Sequence, residues 1–339
     1  MNGRVISLGQ MLVDLTMHVD RIPEPGGDAF ADEAVAHVGS SFNILHAVRR
    51  MGVQASHGGI IGTGPWAQRI RAALADDGID HIGLTDATRD SGLCIAVTDR
   101  NAERTFITVR GAETQGDARC FDAIEPGDAD IVHINGYTFA HPTSRGLLRF
   151  LERTRDHAFR ALFDPSSVCA GADRRLLDAI VDYRPMWSCN RDEAVALARR
   201  FGVLGQGESD PFGVDADGAG GGATGGPAWL CWALADHLAA PVIVRAGSRG
   251  AWVCADPAEG TAVRIASPAV RAVDTNGAGD CHAGVVCAGL MRGLGLAEAV
   301  REANVAAAVS VTRRGPATCP TREEMRAFAA EGGFPLAVL

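Results

Sequence analysis

Several chemistries are closed off by what this chain of 339 residues does not contain. Its nine cysteines include no Cys-x-x-Cys pair and its ten histidines show no metal-ligand spacing. A disulfide framework and a zinc ribbon are therefore excluded, and the thiols are expected to be small buried fillers. No stretch approaches the roughly 18 consecutive apolar residues of a membrane span. Residues 1–12 lack the basic, apolar and cleavage regions of a secretory signal, so a cytoplasmic protein is expected. Basic residues are outnumbered, 32 against 41 acidic ones, for a net charge of −9. Without a broad positive field, neither nucleic acid nor an anionic membrane is an expected partner, and a small molecule fits better. The glycine-rich run at 58–64 holds no Gly-x-Gly-x-x-Gly and is followed by no acidic residue at ribose-contacting distance, which counts against a dinucleotide-dependent dehydrogenase. A Walker-type Gly-Lys-Ser or Gly-Lys-Thr is missing as well.

What is present points to one α/β domain spanning 1–339, since 47% apolar residues can fill a single large core. Residues 4–9 read as a first core strand whose C-terminal end lies at the ligand crevice of an open sheet. Helices are expected over 44–51 and 66–77, closed by Gly52 and Gly78. From residue 129, strand-like and helix-like stretches alternate: 131–134, 145–158, 161–163, 175–181, 185–188 and 192–201. Such alternation implies βαβ units and a mainly parallel sheet with helices on both faces. Strands at 241–244 and 251–254 flank a turn at 245–250, and 298–312 has helix length. Two stretches, about 15–38 and 92–110, look like a small β lid; in the second, 93–98 and 104–109 bracket a hairpin turn. The glycine-rich segment 205–227 reads as a flexible surface excursion, not a phosphate loop.

The sharpest feature is Asp274-Thr275-Asn276-Gly277-Ala278-Gly279-Asp280, running into a small-residue helical pattern over 281–291. Gly277, Ala278 and Gly279 leave backbone amides unobstructed where a helix dipole opens positive, which makes a cradle for an anion. Asp280, in the first helical turn, is a carboxylate able to accept a proton beside that cradle. Together they suit phosphoryl transfer to a hydroxyl. The same run is also ordinary turn chemistry with a helix cap, and the local sequence leaves both readings open.

This heptapeptide resembles the Asp-Thr-x-Gly-Ala-Gly-Asp signature of the ribokinase family, also called the pfkB carbohydrate kinases. Five further segments resemble that family in the same order: Asp14 after the first strand, the 39–43 turn, the hairpin, Asn190-Arg191-Asp192-Glu193, and Arg245-Ala246-Gly247-Ser248-Arg249-Gly250. The resemblance implies a ribokinase-like fold whose β lid keeps water from the transfer step. It implies ATP and magnesium as cofactors and a sugar, or alternatively a nucleoside, as acceptor. By the same resemblance, Asp280 is the catalytic base and the amides of Gly277, Ala278 and Gly279 form the anion hole. Asp14, Gly39 and Asn43 hold the acceptor, while Asn190 and Glu193 position magnesium through water. Arg245, Gly247 and Gly250 meet the nucleotide, and Asn304 lies by the adenine. Asp274 and Asn276, with the 312–315 turn, share a monovalent cation site for potassium. Lids pair across a homodimer in this picture. The chain departs from the pattern at Val38, where the family has glycine, at Ser40, a position often basic or glycine, and at Ser166, often Asn. A nucleoside would need an aromatic wall, for which Phe30, Phe42, Phe106 and Tyr137 are candidates. A protein that senses sugar or nucleotide without turnover is the other alternative, and Asp280 argues against it.

Overall fold

The computed structural model describes residues 3–101, 103–212 and 225–336. Their elements are β1 (Val5–Ser7), β2 (Met11–His18), β3 (Ala34–Ser40), α1 (Ser41–Arg50), β4 (Ala55–His57), α2 (Pro65–Asp76), β5 (Asp80–His81), β6 (Leu93–Thr98) and β7 (Arg104–Val109). There follow β8 (Ile131–Asn135), α3 (Ser144–Arg153), β9 (Arg160–Asp164), α4 (Arg174–Tyr183), β10 (Met186–Asn190), α5 (Arg191–Phe201), α6 (Pro227–Leu238), β11 (Val242–Arg245), β12 (Ala251–Cys254) and β13 (Val263–Ile265). The chain closes with α7 (Ala278–Met291), α8 (Leu296–Ser310) and α9 (Arg322–Gly332).

Nine strands make one sheet in the order β13-β12-β11-β10-β9-β8-β1-β4-β5. It is parallel from β11 to β5 and antiparallel only at the β11-β12-β13 edge. Side-chain alternation divides the interior in two. Val132 and Ile134 of β8 join Phe150, Trp187 and Leu234 beneath α3 to α6, while Ile131 joins Leu45, Val285 and Val305 beneath α1, α7 and α8. Parallel pairing brings strand ends level: Asn135 is the register partner of Asp164, and Asn190 of Arg245. Polar residues at four successive strand ends thus fall along one rim, where ligands of open α/β sheets bind.

The second sheet, hereafter the lid, has the order β3-β2-β6-β7 and is formed from the stretches expected to make one. Its first strand starts at Met11, earlier than the expected 15, so Asp14 sits mid-strand and 19–33 hold no strand. The pairing register sets His37, Asp14, Cys94 and Thr108 side by side across the four strands, on one face. Val13, one residue along, turns to the other face and is buried in the core shared with α2.

Some boundaries differ from the sequence expectation. Helix α3 ends at Arg153 instead of 158, and β13 and α9 were not expected. Helix α7 begins at Ala278, three residues before the apolar pattern does, because Gly277 caps it at φ 72°. Of the glycine-rich stretch 205–227, residues 213–224 lie outside the described ones. Phe212, just before them, is buried edge-on against Trp252 and lies under the Arg249 guanidinium. Among the described residues, no helix is long and apolar enough to cross a membrane.

Candidate active site

Helix α7 is buried all round, as its near-continuous apolar sequence requires. A Cβ at Gly284 would overlap the Ile44 carbonyl, so α1 and α7 meet backbone to backbone. That contact places Asn43 of α1 beside Asp280 of α7, and Asn43 Nδ2 donates to Asp280 Oδ2 at 2.8 Å. A cleft of about 180 Å³ opens in front of Asp280. Of its lining residues, Asn135 ends β8 and Tyr137 follows it, Asp164 ends β9 and Ser166 follows it, Asn190 and Glu193 come from β10 and α5, Arg245 from β11, Gly277 from the cap of α7 and Gly279 from its first turn.

Gly277 is required twice over: its φ is left-handed, and a Cβ would run into the Pro316 carbonyl. The Ala278 amide is partly engaged, donating to Thr275 O at 3.3 Å, whereas first-turn amides beyond it have no acceptor within the helix. The sequence has no lysine, and the cation at the cleft is Arg245. Its guanidinium does not stand free. It donates to Gly279 O at 2.8 Å, to Asp164 Oδ1 and Ser188 O at 3.2 Å, and to Cys189 O at 3.4 Å. Arg245 is therefore a strut under the 277–279 turn. Gly247 and Gly250, both at positive φ, shape the β11-β12 hairpin beyond it, outside the cleft lining.

Burial raises the Asp280 carboxyl to about 7; the Asn43 hydrogen bond pulls against this, Asp164 pushes further up, Arg245 pulls down and Asp14 adds a smaller upward push. Asp14 is raised to about 6 by burial, opposed by a hydrogen bond with Cys94. A Cβ at Gly39 would strike the Asp14 carboxylate, so this glycine is what lets the side chain lie across β3. Asp164 and Glu193 are also raised, in each case chiefly by burial.

Asn190 and Glu193 form a capping box on α5, with Asn190 N donating to Glu193 Oε2 at 2.8 Å and Glu193 N to Asn190 Oδ1 at 2.9 Å. Asp274 accepts from Asn276 N at 3.0 Å and Gly315 N at 3.1 Å, closing the 274–277 turn onto the 315 turn. Asn304 is buried, and its amide donates to Ile265 O and Ala266 O at 2.9 and 3.2 Å, so it ties α8 to the end of β13. Of the aromatic candidates, Tyr137 lines the cleft and Phe106 is exposed on the Asp14 face of the lid. Phe42 packs in the core, and Phe30 is exposed outside any strand. Ser40 and Ser166, two of the positions that depart from the family pattern, both hold positive φ, at 60° and 56°. Side chains rarely accept that conformation, and such strain gathers at functional sites.

Sequence reasoning missed Asp164. Its signal was an acidic residue at the end of a parallel strand, where an open sheet binds ligands. A larger groove, of about 480 Å³ between α3 and α4, contains none of the expected residues and pairs its own charges, Arg175 with Glu152 and Arg174 with Asp178.

The family model for the pfkB family carbohydrate kinases matches residues 2–323. An uncharacterized sugar kinase of Escherichia coli K12 is 32% identical over 322 residues, covering 95% of this chain and 92% of its own. An ATP-dependent ribose-1-phosphate kinase of Halopiger xanaduensis is 27% identical, covering 97% and 98%. The ribokinase of Thermotoga maritima superposes with a TM-score of 0.76 at 22% identity, covering 96% of this chain and 99% of that one, so the fold is ribokinase-like. The motifs, the fold and this match agree: the chain belongs to the pfkB family of carbohydrate kinases.

Proposed function

We propose that this carbohydrate kinase transfers the γ-phosphoryl group of ATP to a hydroxyl of a small sugar, with Asp280 as the base. The carrying observation is a carboxylate raised to about 7 at the N-terminus of a buried helix, facing a cleft and held by Asn43. A base works best when its pKa lies near the working pH. On this reading Asp280 accepts the acceptor's proton while first-turn amides of α7 offset the charge on the moving group. Asp14, Gly39 and Asn43 orient the sugar, because a carboxylate can accept two hydroxyl hydrogen bonds at once.

Among the described residues, no three acidic, His or Cys side chains converge to hold a metal directly. The oxygen donors at the cleft, Asn190, Glu193 and Asp164, suit magnesium instead, an ion that keeps its water shell. Bound there, magnesium would neutralise charge on the nucleotide phosphates. Asp274 and Asn276, joined to the 315 turn by the Asp274 carboxylate, are the residues we assign to potassium on the family resemblance. Arg245 acts on the nucleotide through Gly279, whose carbonyl it holds.

A nucleoside acceptor is the second reading, favoured by Phe106 exposed on the Asp14 face of the lid. One screen separates the two: coupled ADP release over a panel of free sugars, phosphorylated sugars and nucleosides. Transfer to sugars is expected, and activity confined to nucleosides would overturn the sugar assignment. Asp280→Asn should still bind ATP and acceptor but transfer nothing. A wild-type protein that binds both yet transfers to no acceptor would be a sensor instead.

A further inference from the structure

The lid hairpin leaves the main body at Gly92 and returns at Gly111, and one buried carboxylate holds both points. Glu113 Oε2 accepts from Gly92 N at 2.8 Å and Oε1 from Gly111 N at 2.9 Å. The residue is 3% exposed. Each glycine is fitted to this crossing: a Cβ at Gly92 would come 2.5 Å from Glu113 Oε1, and one at Gly111 would overlap Gly92 N. The crossing is anchored on both sides. Asp90 O accepts from Ala112 N at 2.9 Å, while the Asp90 carboxylate caps α2 through Trp66 N and Ala67 N. Thr143, before α3, donates to Glu113 O at 3.2 Å. Gly92 O in turn accepts from Val13 N at 3.0 Å, one residue from Asp14.

We infer that Glu113 is a positioning residue for phosphoryl transfer, a clamp that makes the two ends of the lid hairpin one joint. The inference rests on the phosphotransfer reading above. With both amides tied to one carboxylate, β6 and β7 cannot part at their base, so the lid moves as a unit and carries Asp14 with it. A lid that seals the cleft keeps water from competing with the acceptor for the phosphoryl group. Replacing Glu113 with Gln sets an NH2 group against one of the two amides. One hydrogen bond to a charged acceptor is lost and a buried donor is left unpaired. The base of the lid then splays.

The test measures ADP formed per acceptor phosphorylated, together with KM for the acceptor, in wild type, Glu113→Gln and Gly111→Ala. The glycine variant opens the same joint without touching the carboxylate, so it keeps the test informative should the first variant fold poorly. Wild type is expected to be coupled near one to one. In both variants KM for the acceptor should rise on the order of tenfold and ADP should exceed product, with kcat at saturating acceptor changed less. Folded variants that stay coupled with an unchanged KM would overturn the clamp while leaving the kinase reading intact. A wild type that phosphorylates no acceptor would remove the kinase reading itself.

Discussion

Asn43 offers a direct test of how the base is tuned. Its amide donates to Asp280 Oδ2 at 2.8 Å and is the main influence opposing the burial that lifts Asp280 to about 7. A hydrogen bond to a charged group is worth about 1.5–3 kcal/mol, and one pKa unit is about 1.4 kcal/mol. Removing the bond in Asn43→Ala should therefore move the Asp280 midpoint up by about 1–2 units, to about 8–9. The direction follows from the charge state: the amide stabilises the carboxylate, so without it the protonated, inactive form persists to higher pH. The assay is kcat/KM for the acceptor from pH 5.5 to 9.5, whose acidic limb reports the free enzyme's base. Wild type should rise through about pH 7 and level off, and the variant should rise later. Asn43 also contacts the acceptor in the proposed site, so the height of the profile will fall. The midpoint does not depend on that loss. A variant limb at or below the wild-type midpoint would refute the assignment of Asp280 as the titrating base.

Two stability predictions accompany this one. Because folding raises Asp280 from its ordinary 3.8 to about 7, the folded state holds the proton more tightly, and stability drains away as pH rises between those values. Asp280→Asn should thus unfold at a higher temperature than wild type at pH 8, with a smaller gain at pH 5; an equal gain at both would contradict the burial argument. Arg245→Met leaves Asp164 and Glu193 without their buried counter-charge and should cost about 3–5 kcal/mol in urea unfolding, whereas a loss under about 1 kcal/mol would show that the strut carries little.

The sequence made the parallel sheet, the hairpin and the 274–280 turn legible because each is written in local pattern: alternation, turn residues and small residues before an apolar helix. Lid strand β2 was not, since Met11–His18 mixes polar and apolar residues that make sense only once its two faces have different neighbours. Asn43 is expected from the family resemblance to hold the acceptor, but its bond to Asp280 joins positions 237 apart, and no spacing rule reaches so far. Arg245 and Asn304 show the opposite limit. The resemblance assigns both to the nucleotide, yet their side chains face backbone carbonyls of the protein itself. Side-chain direction depends on which partner lies within reach after folding.

The two sheets divide the labour in a way an engineer could exploit. Asp280 and its amides belong to a helix wedged so tightly between α1 and α8 that glycine is needed at Gly284 and Gly289. The row His37, Asp14, Cys94 and Thr108 belongs to a separate, thin sheet. On the proposed reading, randomising Cys94 and Thr108 changes what is offered to the acceptor while leaving α7 untouched, whereas His37 lies beside the Gly315 turn that Asp274 closes and is best kept, so a library confined to the other two codons is the economical route to a kinase of altered preference.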